Sequence, residues 1–185
     1  MQCLKIEEKG PAWTVWGLNF NPTNQNLKSC EGNIMHEGVL LAHEVWGGRR
    51  LTREEIEFFL KEVRTARFCS HNNDETIHAA PVWFKYENGK IVILTPEHSR
   101  KARNVKRNKN VSILIDTEKP PRGVLIYGEA ELDNEFDLKS TAIWLCEKYM
   151  SKEKAKDQWR SACPPATNWL KITVKPERMA SFDYG

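Results

Sequence analysis

The chain has little excess charge, no long apolar run and no cysteine pattern, and each lack removes a class of protein. Its 28 Lys and Arg against 25 Asp and Glu leave a formal charge of +3 over 185 residues. That sum alone does not call for nucleic acid or an anionic membrane surface. No stretch approaches the length of a membrane-spanning helix, about 18 apolar residues, so no membrane partner is expected. The five cysteines, Cys3, Cys30, Cys69, Cys146 and Cys163, are odd in number and form neither C-x-x-C pairs nor zinc-spaced clusters, and they read as free thiols. Lys5, Glu7, Glu8 and Lys9 stand where a signal peptide needs an apolar core, which makes a cytoplasmic, reducing location the expectation. Gly and Pro show no collagen-like or low-complexity bias, so a globular chain remains.

What is present changes texture near residue 50. Residues 1–50 are punctuated by Gly10-Pro11, Asn21-Pro22 and Gly47-Gly48 and hold no lasting periodicity. They read as an extension without an assignable fold, whose Trp13, Trp16, Phe20 and Trp46 are expected to dock on something. From residue 51 the signals sharpen. Thr52-Arg53-Glu54-Glu55 is a capping box, and Ile56, Phe59, Leu60 and Val63 follow as one apolar stripe on a helix expected to end near Thr65. Strands are expected over residues 66–71, 77–86, 90–95, 111–116, 123–132 and 169–174, with hairpin turns at Asn72-Asn73-Asp74 and Asn88-Gly89. A helix capped by Ser99 spans 99–108; another covers 134–150, with a polar continuation over 152–160. Strands joined mainly by hairpins, without βαβ alternation, close most simply as a small antiparallel barrel, which leaves no exposed edges.

The most informative stretch is Leu94-Thr95-Pro96-Glu97-His98-Ser99-Arg100-Lys101-Ala102-Arg103-Asn104, a strand end, a short loop and a helix start. It outlines a phosphate site. Free backbone N–H groups at a helix start point at an anion, Ser99 adds a hydroxyl, Arg100 a planar fork and Lys101 a point charge. The rival reading is a nucleic-acid helix, since Arg100, Lys101, Arg103, Lys106, Arg107 and Lys109 crowd one stretch. No aromatics interleave them and no helix-turn-helix or zinc framework surrounds them, so no nucleic-acid partner is expected. Ser99 lacks a nucleophile elbow. His36-Glu37 and His43-Glu44 lack the second His of a zincin helix, and His71, His78 and His98 share no helical spacing, so no metal is expected. Cys69 reads as packed core.

In joint order and spacing, the sequence over about residues 51–184 resembles the pyridoxamine 5′-phosphate oxidase-like proteins, the FMN-binding split barrels. The features that carry the resemblance are the opening helix, Ala66-Arg67-Phe68, Ala79-Ala80-Pro81-Val82-Trp83-Phe84, Asn88-Gly89, Leu94-Thr95 with Ser99-Arg100-Lys101-Ala102-Arg103-Asn104, Val111-Ser112, Arg122-Gly123-Val124, Gly128-Glu129-Ala130, and Pro176-Glu177-Arg178 to Asp183. The resemblance implies a mainly β fold with flanking helices over residues 51–185: a six-stranded antiparallel Greek-key split β-barrel. It also implies a homodimer with FMN in grooves at the interface, and a small-molecule substrate. Carried over residue by residue, Pro81, Val82, Trp83 and Phe84 run along the flavin ring and Thr95 contacts the cofactor. Ser99, Arg100 and Lys101 hold the phosphate, and Asn104 and Gly123 complete the cofactor set. Trp83 either stacks on the ring or fills the barrel.

Two departures bear on substrate. The true oxidases carry an Arg where Ala80 stands, although Lys85 falls where they have a Lys, and their C-terminal substrate motif has no counterpart here. The chain therefore resembles the broader related group, whose members bind FMN or the deazaflavin coenzyme. An oxidoreductase moving a hydride or two electrons to or from a small substrate is the expectation, with no catalytic side chain required because the flavin supplies the redox chemistry. The alternative is a non-catalytic flavin- or deazaflavin-binding carrier or sensor.

Overall fold

The computed structural model describes residues 48–185. The aromatic-rich extension through Trp46, together with His36-Glu37 and His43-Glu44, lies outside the described residues.

Helix α1 (Arg53–Lys61) begins at the expected capping box: the Thr52 hydroxyl accepts from the Glu55 amide at 3.3 Å, and Glu55 Oε2 accepts from the Thr52 amide at 2.8 Å. Phe59 and Leu60 turn inward, but the helix stops before Val63, which is 66% exposed. The helix thus ends at Lys61, short of the expected end near Thr65 and of the last residue of the stripe. Next come β1 (Ala66–His71), β2 (Ile77–Val82), β3 (Lys85–Glu87), β4 (Lys90–Pro96), α2 (Arg100–Arg107), β5 (Asn110–Glu118), β6 (Pro121–Asp133), α3 (Leu138–Cys146), α4 (Lys152–Ala162) and β7 (Trp169–Asp183).

The strands form one antiparallel sheet in the order β2-β1-β5-β6-β7-β4-β3. Side chains alternate between faces, so Phe68, Ile91, Ile93, Ile113, Ile115, Val124, Ile126, Ile172 and Val174 all point to one buried core. The two edge strands, β2 and β3, are consecutive in sequence with only Trp83-Phe84 between them. Three residues of chain span at most about 11 Å, so the edges meet at that corner and the sheet curls into a half-barrel.

This corner corrects the expected strand count from six to seven. The single strand expected over 77–86 is broken where the chain leaves one edge of the sheet and joins the other. Tyr149 seals the break: its hydroxyl accepts from the Phe84 amide at 2.8 Å and lies 2.9 Å from the Arg64 carbonyl and 3.0 Å from the Phe84 carbonyl, either of which takes its proton. Backbone groups that lose ladder partners at the break thereby keep hydrogen bonds.

Two other boundaries move for identifiable reasons. The helix expected over 134–150 starts only after Asp137, whose carboxylate accepts from the Ser140 amide at 3.3 Å. The polar continuation is a separate helix, α4, capped by Ser151. β7 runs nine residues past the expected end at Val174. β4 pairs with it only as far as Val174, so its second half needs partners on one side alone and tolerates Pro176. Cys69 is partly exposed on the outward face of β1 rather than packed in the core. Among the described residues, no helix is long and apolar enough to cross a membrane.

Candidate functional site

The phosphate-type stretch folds as its residues dictate. β4 ends at Pro96, the chain turns, and Ser99 caps α2 by accepting from the Ala102 amide at 3.2 Å. The buried Thr95 hydroxyl lies 2.9 Å from the Ser99 hydroxyl, so the strand end and the helix start are clasped together. Arg100 and Lys101 occupy the first two helical positions, and the first turn holds no acid.

Five of the segment's six cations separate into two groups, and the sixth, Lys109, lies beyond the end of α2. Arg103 donates to the His98 carbonyl at 2.6 Å, Lys106 pairs with Glu97 at 2.9 Å, and Arg107 donates to the His71 carbonyl at 2.5 Å. These three fasten the helix to its own surroundings. Arg100 and Lys101 have no hydrogen-bonded or ion-paired partner among the described residues. Lys101 is also half-buried, and that burial lowers its ammonium below the usual lysine range. Cations at a helix start oppose the helix dipole, and one half-buried without an acid is costly. The arrangement suits an anion that brings its own charge.

Asn104 serves this site from behind. It is buried, donates to the Ser70 hydroxyl and the Asn72 side-chain carbonyl, both at 3.1 Å, and accepts from Arg107 at 3.3 Å. With both ends of its amide engaged, it fixes α2 on β1 and does not reach outward.

The strand residues divide by face. Val82 and Phe84 are buried in the core, while Pro81 and Trp83 face outward. Trp83 is 40% exposed and stacks on Tyr149 with ring centroids 4.5 Å apart, so it does not fill the barrel. Gly123 pairs with Asp116 and Phe182, and a Cβ there would lie 2.6 Å from the Phe182 ring. Close packing of that ring explains the glycine. The loop leaving α2 reaches β6 at Ala130, seven residues from Gly123 and therefore about 23 Å along the strand. Thr95, Ser99, Arg100 and Lys101 are brought together; Gly123 does not join them within the chain.

Sequence spacing missed two features. His78 on β2 lies close enough to Arg100 and Lys101 for their charges to lower its imidazole, after burial. It neighbours Ser70, the residue Asn104 grips, across the strand pair. At the barrel corner, Lys148 Nζ sits 3.3 Å over the Phe84 ring and donates to the Leu60 carbonyl at 2.8 Å, while Lys85 donates to the Trp144 carbonyl at 2.8 Å. Phe84 and Lys148 are too far apart in the chain for any local pattern to reveal the pair.

Burial, reinforced by Arg64 and Lys85 and opposed by Glu62, pushes Lys148 down to about 7. The unfolded chain therefore binds more protons above that value, so stability rises with pH from there toward the ordinary lysine range, and the penalty is fully present below it. The melting temperature of Lys148→Met relative to wild type is expected to be highest near about pH 6 and to fall toward about pH 10. A difference that is flat with pH contradicts this assignment.

A family model described as pyridoxamine 5′-phosphate oxidase matches residues 52–179. No curated protein matches the chain. Among solved structures, a conserved hypothetical protein of Mycobacterium tuberculosis is 26% identical, covering 72% of this chain and 85% of its own, with a TM-score of 0.61. A protein described as an F420 reductase is 19% identical, covering 66% and 94%, with a TM-score of 0.55. An FAD-binding protein of Mesorhizobium loti is 15% identical, covering 75% and 99%, with a TM-score of 0.56.

Proposed function

Because the chain belongs to the pyridoxamine 5′-phosphate oxidase family, we propose that it is an oxidoreductase that binds FMN and moves a hydride or two electrons to or from a small substrate. The observation that carries the reading is the pair Arg100 and Lys101, two cations with no hydrogen-bonded or ion-paired acid among the described residues, at the start of α2 beside the clasped Thr95 and Ser99 hydroxyls. A dianionic phosphate monoester supplies the charge this cradle lacks. The fold likeness to an F420 reductase and to an FAD-binding protein is in keeping with a flavin-type ring. The deazaflavin coenzyme, which also carries phosphate, is the alternative ligand.

In this reading Arg100 and Lys101 hold the phosphate, and Ser99 and Thr95 fix the loop that presents them. Pro81 and Trp83, on the outward face of the edge strand, offer an apolar platform to the ring, and the free edge of β2 offers backbone groups to the ring's polar rim. Val82 and Phe84 contribute backbone only, since their side chains are in the core. A second protomer closing over this face, where Ile77 and Trp83 are exposed, completes the groove and excludes water. The bound ring supplies hydride acceptance or donation, and the chain supplies placement. The substrate is small, and Ala80, where the true oxidases carry an Arg, weighs against the vitamin class.

Anaerobic mixing of the FMN-loaded protein with reduced nicotinamides tests the activity. Bleaching of the visible flavin band, and its return on adding an acceptor, is the expected result. A loaded protein whose band no nicotinamide bleaches would favour the carrier or sensor alternative.

A further inference from the structure

His78 stands where a third cation could join Arg100 and Lys101. Within β2, His78, Ala80 and Val82 face inward while Ile77, Ala79 and Pro81 face out. The cross-strand partner of His78 is Ser70, the hydroxyl that Asn104 grips from α2. Arg100 and Lys101 lie four and three residues before Asn104, hence about one helical turn earlier on the same side of α2. The imidazole therefore faces the cradle from the strand opposite.

The charged groups that act on it are two cations. From α2 come Arg100 and Lys101, from β1 the uncharged Ser70, and the nearby turn carboxylate Asp74 acts on Arg100 rather than on His78. Burial first, then Arg100 and Lys101, hold the imidazole below its usual range, which favours its neutral form in the free protein.

An arriving dianion offsets the two positive charges and sets acceptor oxygens beside the ring, which removes the electrostatic part of that bias. Resting on the phosphate-cradle reading above, we propose that His78 is a third phosphate-recognition residue, neutral when the cradle is empty and protonated when a phosphate dianion occupies it. The phosphate then enters together with one proton. No bond is made or broken; the proton comes from solvent and returns to it on release. This makes affinity depend on pH through the imidazole, and it favours a terminal monoester dianion over a singly charged diester.

FMN binding to the full-length wild type and to His78→Gln, measured by titration at two pH values, tests the proposal. The ionisation of the ester itself cancels in the comparison because the ligand is the same. A charge-assisted hydrogen bond contributes about tenfold or more in affinity. His78→Gln is accordingly expected to bind about tenfold more weakly near pH 6.5 and within about twofold of wild type near pH 8.5. In wild type, the His78 imidazole NMR resonance is expected to titrate at higher pH with FMN bound than without, a readout that needs no variant. A His78 titration unchanged by bound FMN, or a ratio of affinities that does not vary with pH, overturns the role of His78 while leaving the cradle standing. Failure of wild type to bind FMN, inorganic phosphate or the deazaflavin coenzyme overturns the cradle and this proposal together.

Discussion

An Arg100→Ala, Lys101→Ala double variant is expected to bind FMN at least about a hundredfold more weakly than wild type, because two charge-assisted hydrogen bonds at about 1.5–3 kcal/mol each are lost. The fold is expected to survive intact. Neither side chain bonds to anything else among the described residues, and α2 carries no acid in its first turn. Two cations beside a helix N-terminus cost about 0.3–1 kcal/mol each, so the variant's melting temperature without ligand stays level or rises. Loss of binding with no loss of stability separates a ligand site from a structural one. Binding retained by the variant would place the phosphate elsewhere.

The second large effect is at the barrel corner. Phe84→Ala is expected to destabilise the fold by about 3–5 kcal/mol, the usual cost of truncating a buried aromatic. Phe84 is fully buried where β2 passes into β3, and its ring lies 3.3 Å beneath the Lys148 ammonium. Truncation opens a cavity and strips the half-buried Lys148 amine of its ring partner at the same time. Since domains of this kind are stable by only about 5–15 kcal/mol in total, the variant is expected to melt far below wild type. Denaturant unfolding checks this, and a cost under about 1 kcal/mol would mean the corner repacks freely.

Much of the architecture was legible because local rules and tertiary structure agree. The capping box at Thr52 and the cap at Ser99 appear where the sequence puts them, and the Asn88-Gly89 turn adopts the positive φ that a tight hairpin requires. The Trp83-Phe84 break was not legible, since 77–86 keeps strand chemistry throughout and only sheet curvature forces the chain to change edges. The length of β7 was hidden by Pro176, which reads as a stop unless one knows that its second half lacks a partner on one side. Of the candidate site, the cradle was visible as a contiguous motif. His78 was invisible because a strand pairing and a helix docking, both long-range, bring it to Arg100. Asn104 and Gly123, expected in the cofactor set, have intrachain roles the sequence did not reveal, helix anchoring for the one and packing against Phe182 for the other.

The central claim is that Arg100 and Lys101 form a cradle for a phosphate-bearing flavin. The most direct test is the visible absorption spectrum of the full-length protein after incubation with FMN, and separately with the deazaflavin coenzyme, followed by removal of unbound ligand. A retained chromophore, displaced by inorganic phosphate and lost in the Arg100→Ala, Lys101→Ala variant, is the predicted result. A colourless protein with both ligands, or a chromophore that the double variant keeps, would contradict it.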